Sequence, residues 1–238
     1  MNLHLTLQGK GGVGKTLVST LIAQYLLSKD MTPLCIDTDP VNRTFSGFKA
    51  MDVKPLDIME KDQVNIRNFD NLIEMIMESK NECVIDNGAA SFIPLTAYLK
   101  ENDIFQFLSA NGFTIYIHVV LTGGQAVEDT AKGLDYIIKN FGDSAHTVVW
   151  LNEYFGEVQY KEMPFEDMQV FKRNKSNILG IIPIPEMSNE TFGVDIKQML
   201  EDRVTFDEYL ASDDYKIIPK QRIKKFRDTI FNNISIVL

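Results

Sequence analysis

The chain is short of the residues on which disulfide scaffolds and histidine-built metal sites depend. Only two cysteines occur in 238 residues. Two cannot build a disulfide framework, and Cys35 and Cys83 each lie in an apolar run. Both are expected to be buried free thiols of a cytosolic protein. The three histidines, His4, His118 and His146, lie far apart and lack metal-ligand spacing. No Ser/His/Asp or Cys/His arrangement is visible either. Long apolar runs are missing: the longest extends from Phe113 to Leu121 and contains His118, whereas a membrane-spanning helix needs about 20 apolar residues. Positive charge is in deficit, with 24 Lys and Arg against 33 Asp and Glu, a net charge of −9. Such a balance argues against strong non-specific binding of nucleic acid by the surface as a whole, because that binding rests on Lys and Arg meeting phosphates. No basic segment precedes the first strand pattern, so no signal peptide is expected. Repeats, low-complexity tracts and Gly/Ser linkers are absent. What is present is ordinary globular composition, 45% apolar and 24% charged, which excludes a largely disordered chain. One domain is expected over residues 1–238.

Short apolar runs alternate with helical periodicity. Strands are expected at 2–8, 33–37, 82–86, 113–121, 147–151 and 178–184. Helices are expected at 16–29, 69–79, 126–141, 191–200 and, as the C-terminal helix, at about 219–236. Residues 92–110 read as one or two helices, and 154–164 as a polar insertion forming a hairpin or flap. Strand–helix alternation of this kind predicts an α/β fold, a doubly wound, mostly parallel sheet with helices on both faces.

The sharpest signal is Gly9-Lys10-Gly11-Gly12-Val13-Gly14-Lys15-Thr16. It fits G-x-x-x-x-G-K-[ST] between a strand and a helix. Its glycines let successive N–H groups curl around phosphate oxygens, and the following helix adds its positive end. Gly11, Gly12, Val13, Gly14, Lys15, Thr16 and Leu17 are therefore the expected nucleotide cradle. Lys15 is expected on the β- and γ-phosphates and Thr16 on Mg²⁺. Gly9, Gly11 and Gly14 also spell G-x-G-x-x-G with Asp37 downstream, a dinucleotide pattern. The Lys15-Thr16 pair decides for a nucleoside triphosphate. Glu82-Cys83-Val84-Ile85-Asp86 is an apolar run ending in Asp, and Asp86 is expected to hold Mg²⁺ through water. Asp37 and Asp39 fall at the carboxyl end of another strand, where open α/β sheets bind ligands.

Lys10 is a second lysine in the loop. The string K-G-G-V-G-K-T resembles the deviant Walker A box of the ParA/MinD/ArsA-type ATPases. That resemblance implies ATP and Mg²⁺ as cofactors and a nucleotide-dependent homodimer in which Lys10 reaches the partner's nucleotide. It implies Asp39 as the residue orienting the attacking water, so that Lys10, Lys15 and Asp39 form the catalytic set. Asp37 would support the loop and the metal's water shell. Asn152, ending the run Val148–Asn152, would bond the adenine edge, and Pro185 would lie beside the base. Where relatives often carry D-T-x-P, this chain has Asp86-Asn87-Gly88-Ala89-Ala90, a departure that bears on switch II.

Further segments resemble TraL-type proteins of conjugative plasmids: residues 37–42, 84–89, Thr122-Gly123-Gly124-Gln125-Ala126, Val148-Val149-Trp150-Leu151-Asn152 and Glu190-Thr191-Phe192-Gly193. The resemblance implies service to conjugative or mobilisation transfer of DNA, with relaxosome or secretion-channel proteins as partners. A DNA-partitioning ATPase and a nucleotide-binding scaffold that hardly hydrolyses are the alternatives. Lys216, Lys220, Arg222, Lys224, Lys225 and Arg227 form a basic run through which DNA contact is open. Ile223, Phe226, Ile230, Ile234 and Val237 recur at helical spacing. They are expected to pack on the sheet rather than enter a membrane.

Overall fold

The computed structural model describes residues 1–61, 63–186, 188 and 190–238. The chain runs β1 (Asn2–Thr6), α1 (Lys15–Leu27), β2 (Leu34–Asp37), β3 (Lys54–Pro55), β4 (Met59–Glu60), β5 (Gln63–Val64), α2 (Asn68–Glu78), β6 (Cys83–Asp86), α3 (Phe92–Glu101), α4 (Ile104–Ala110) and β7 (Thr114–Thr122). It continues α5 (Val127–Phe141), β8 (His146–Asn152), β9 (Gln159–Tyr160), β10 (Met163–Pro164), α6 (Gln169–Asn174), β11 (Ile178–Ile184), α7 (Phe192–Glu201), α8 (Phe206–Ala211) and α9 (Ile217–Val237).

Seven strands form one sheet in the order β11-β8-β7-β1-β6-β2-β3, and every neighbouring pair is parallel. Strand alternation sends side chains to two cores. Cys83, Ile85, Ile115 and Ile117 meet α2 to α6 on one face. Val84, Val120, Val148 and Ile182 meet α1, α7, α8 and α9 on the other. Parallel strands buried on both faces read as continuous apolar runs, which is why they stand out in the sequence.

Residues 92–110 are two helices, broken where Asp103 adopts a φ of 48°. The insertion at 154–164 contains the antiparallel hairpin β9–β10. α9 starts earlier than its spacing indicates, because Pro219 sits in the first turn, where no N–H is needed. Ile223, Phe226, Ile230 and Ile234 are all buried, so the apolar face of α9 packs as expected.

Two of the histidines are core residues, and they meet. Trp150 Nε1 donates to His118 Nδ1 at 3.0 Å. The His118 proton therefore lies on Nε2, which is 3.0 Å from His4 Nδ1. Burial, with His4 adding to it, holds the His118 pKa well below the ordinary histidine value. Cys35 and Cys83 are buried and free, as expected.

Candidate functional site

The carboxyl ends of β1, β2 and β6 converge on one edge of the sheet, next to the start of α1. Gly14 precedes α1 with φ 100°, a left-handed conformation that favours glycine. A Cβ there would also lie 2.6 Å from Asn152 Nδ2. Among the described residues no side chain caps α1, and its first turn carries no acid. The free N–H groups and positive end of the helix are left for an anion.

Asp86 is fully buried beneath this turn. Thr16 Oγ1 donates to its Oδ2 at 2.7 Å and Ser19 Oγ to its Oδ1 at 2.9 Å. Burial pushes the Asp86 carboxyl up to about 7, and Asp37 adds to the rise, while the Thr16 and Ser19 bonds and Lys15 oppose it. Lys15 is buried, and its Nζ donates to the Lys10 carbonyl at 2.9 Å. Its pKa is lowered by desolvation, against the pull of Asp86 and Asp39. A hydroxyl beside a buried carboxylate is a hard oxygen pair of the kind Mg²⁺ takes, so Thr16 and Asp86 fit that ion.

Asp37 is spent on the chain itself. Its Oδ1 accepts from the Asp39 N–H at 3.1 Å and its Oδ2 from the Ser46 N–H at 2.9 Å. It shapes the loop after β2. Asp39 Oδ1 accepts from the N–H groups of Val41 at 2.8 Å and Asn42 at 3.0 Å. Its carboxylate lies over Gly88, where a Cβ would sit 2.6 Å from Cγ. The glycine after Asp86 therefore brings the loops after β2 and β6 together.

Asn87 marks the departure from the relatives' pattern, and it has a job the sequence did not announce. Its Oδ1 accepts from Ser91 Oγ at 2.7 Å and Thr38 Oγ1 at 3.2 Å. One buried amide thus ties the β2 loop to the start of α3.

A cavity of about 530 Å³ opens beside the loop, lined by Gly12, Gly14, Leu17, Thr44, Asn152 and Tyr154, with Ile196, Leu200 and Arg203 from α7 and the turn after it. Its size suits a small organic ligand. Asn152 reaches it, but its Nδ2 donates to the Val13 carbonyl at 2.9 Å and its Oδ1 accepts from the Tyr154 N–H at 3.3 Å. In this geometry Asn152 braces the phosphate loop. Pro185 is not brought to the group: it lines a separate hollow of about 240 Å³ with Phe192 and Lys225. Lys10 stands on the other side of the loop, exposed, with Nζ 2.8 Å from Asp129 Oδ2. The α7 residues were invisible as lining because Ile196 and Leu200, four apart, read simply as a packed helix face.

The comparisons agree with this architecture. The CobQ/CobB/MinD/ParA nucleotide binding domain matches residues 5–201. A protein TraL of Escherichia coli is 46% identical over 98% of this chain and 97% of its own length. The MinD cell division protein of Aquifex aeolicus shares the fold with a TM-score of 0.54 at 14% identity, over 98% of this chain and 97% of that one. A nucleotide-binding protein in complex with ADP from Archaeoglobus fulgidus reaches a TM-score of 0.50 at 15% identity, over 84% and 87% of the two chains. A glycine loop after the carboxyl end of β1 in a fully parallel sheet, a family match over residues 5–201 and a full-length relative of this identity place the chain in the CobQ/CobB/MinD/ParA nucleotide-binding family, among the kin of TraL.

Proposed function

We propose that the protein is a Mg²⁺-dependent ATP switch that hydrolyses slowly, pairs face to face when loaded, and serves conjugative or mobilisation transfer of DNA. The observation that carries the reading is the cluster of Lys15, Thr16 and Asp86 beneath an uncapped, glycine-led helix start. Thr16 and Asp86 would hold the ion, whose chemistry is to neutralise charge on the phosphates. Lys15 would leave the Lys10 carbonyl for the phosphates. Asp39, beside Gly88, would orient water, and Lys10 would serve the partner's nucleotide. The adenine would enter the cavity lined by Leu17, Ile196 and Leu200. Kinship with TraL supports the setting in conjugation, with relaxosome or secretion-channel proteins as partners. The exposed Lys224 and Lys225 of α9 offer a DNA contact. Among the described residues no helix is long and apolar enough to cross a membrane.

Light scattering of Asp39→Ala with Mg-ATP tests the switch: a dimer is expected, and a monomer at high protein concentration counts against it. One observation favours the scaffold alternative, since Asp39 is bonded to its own turn. Wild-type turnover no faster than that of Asp39→Ala would decide for the scaffold.

The Asp86 environment sets a pH dependence. Burial lifts the folded carboxyl to about 7 from the ordinary aspartate value of 3.8. Without metal, its contribution to stability is fully present below the lower value and is lost as pH rises through the upper one. Mg²⁺ needs the ionised form and must displace that proton. The Mg²⁺ concentration giving half of the nucleotide-induced thermal shift is therefore expected to rise about tenfold from about pH 8 to about pH 6. A flat profile would remove Asp86 from the metal set.

A further inference from the structure

The head of the phosphate loop is gripped from one turn of α5. Gln8 Nε2 donates to the Thr130 carbonyl at 3.1 Å. Lys10 Nζ donates to the carboxylate of Asp129, the preceding residue, at 2.8 Å. Lys15 in turn donates to the carbonyl of Lys10. Both loop lysines are thus engaged within the chain, one on the other's backbone and the other on α5. The Lys10–Asp129 pair lines a hollow of about 480 Å³ with Ile93, Lys132, Gly133 and Tyr136. This hollow lies on the α3 and α5 side of the loop, whereas the Leu17 cavity lies on the α7 side.

The pair is about half exposed, at 45% and 50%. An ion pair so wet adds little to the stability of a fold. It does fix where Lys10 points. The Lys10 hydrogen bond and charge hold the Asp129 carboxyl below the usual aspartate range, with a smaller contribution from Lys132.

We propose that Asp129 is a positioning residue that holds Lys10 while the site is empty and gives it up when a triphosphate is loaded, so that it sets the threshold for pairing. The proposal rests on the reading that Lys10 serves a nucleotide in trans. Release follows from competition. A triphosphate draws Lys15 off the Lys10 carbonyl, and several phosphate charges outbid a single wet carboxylate for the Lys10 ammonium. Asp129 is then left with Lys132, three residues along the same helix.

Two measurements test this. Carboxyl ¹³C titration of Asp129 by NMR is expected to give a value below the usual range in the empty protein. The value should return to that range in Lys10→Ala and also on adding a non-hydrolysable ATP analogue with Mg²⁺. Light scattering is expected to show Asp129→Asn pairing at about 5- to 25-fold lower protein concentration than wild type, since a dimer frees two such pairs and each exposed pair contributes at most about fivefold, and Asp129→Glu restoring the wild-type threshold. A purely structural aspartate would show no response to nucleotide. If the Asp129 titration is unmoved by the analogue, or Asp129→Asn pairs at the wild-type concentration while Lys10→Ala fails to pair, the holding role is wrong and the trans role of Lys10 stands. If Lys10→Ala pairs and hydrolyses like wild type, the trans role itself fails and the proposal falls with it.

Discussion

Mg-ATP is expected to raise the melting temperature by about 5–10 °C when present at a hundred times its Kd. Such loading stabilises by about 2.7 kcal/mol, and a chain of this size gains about 2–4 °C per kcal/mol. Lys15→Ala should abolish the shift. The empty variant should be no less stable than wild type, because buried Lys15 bears a desolvation cost that lowers its pKa. Loss of the shift can then be read as loss of binding. Lys10→Ala should behave differently: it keeps the thermal shift, yet turnover falls by roughly two orders of magnitude or more, as when a trans-acting cation is removed from a phosphoryl transition state. The Lys10 side chain is exposed and pairs with Asp129, and the Lys10 carbonyl that Lys15 meets is backbone, which alanine keeps. If NADH stabilises the chain and ATP does not, the loop has been assigned to the wrong ligand.

Phe226→Ala is expected to cost about 3–5 kcal/mol of stability in urea, the range for truncating a buried phenylalanine. Phe226 is 2% exposed and meets Phe206 edge-on with ring centroids 6.0 Å apart. On the next turn of α9, Ile230 is fully buried. Asp195 of α7 pairs with Arg222, which fastens the helix from its other end. Replacing exposed Lys224 and Lys225 by alanine should change stability by no more than about 0.5 kcal/mol. The contrast separates a packed helix from a membrane anchor. A helix whose Ile223, Phe226, Ile230 and Ile234 lie buried against the fold has that face engaged and not open to lipid. ATP-dependent flotation with anionic vesicles, together with a cost below about 1 kcal/mol for Phe226→Ala, would show that α9 leaves the sheet.

The central strands were legible because burial on both faces leaves residues 83–85 apolar throughout and residues 115–121 apolar but for His118. The phosphate loop was legible because its chemistry is local, with glycines, lysine and hydroxyl contiguous in sequence. β3, β4 and β5 have two residues each, too few for any period to show. The same limit hid α6 and α8, at six residues apiece. Side-chain commitments could not be read at all. That Asn152 braces Val13, and that Asn87 links Thr38 to Ser91, depends on strands and loops separated by up to 139 positions. His4 and His118 look unrelated in sequence, and only the pairing of β1 with β7 brings them together.

The place of β1 has a consequence for synthesis. β1 leaves the ribosome ahead of both its neighbours and becomes an interior strand, pairing Leu3 with Cys83 on one side and with Ile115 on the other. Its neighbours thus emerge about 80 and 110 residues later, and the amide that braces Val13 later still, at Asn152. At about 5–20 residues per second the nascent loop waits several seconds, with its strand unpaired on both edges. A nascent chain halted before β8 holds every residue of the glycine loop and the α5 residues that grip its head, yet it lacks the Asn152 amide on Val13, so the last brace of the loop arrives long after the loop itself is made.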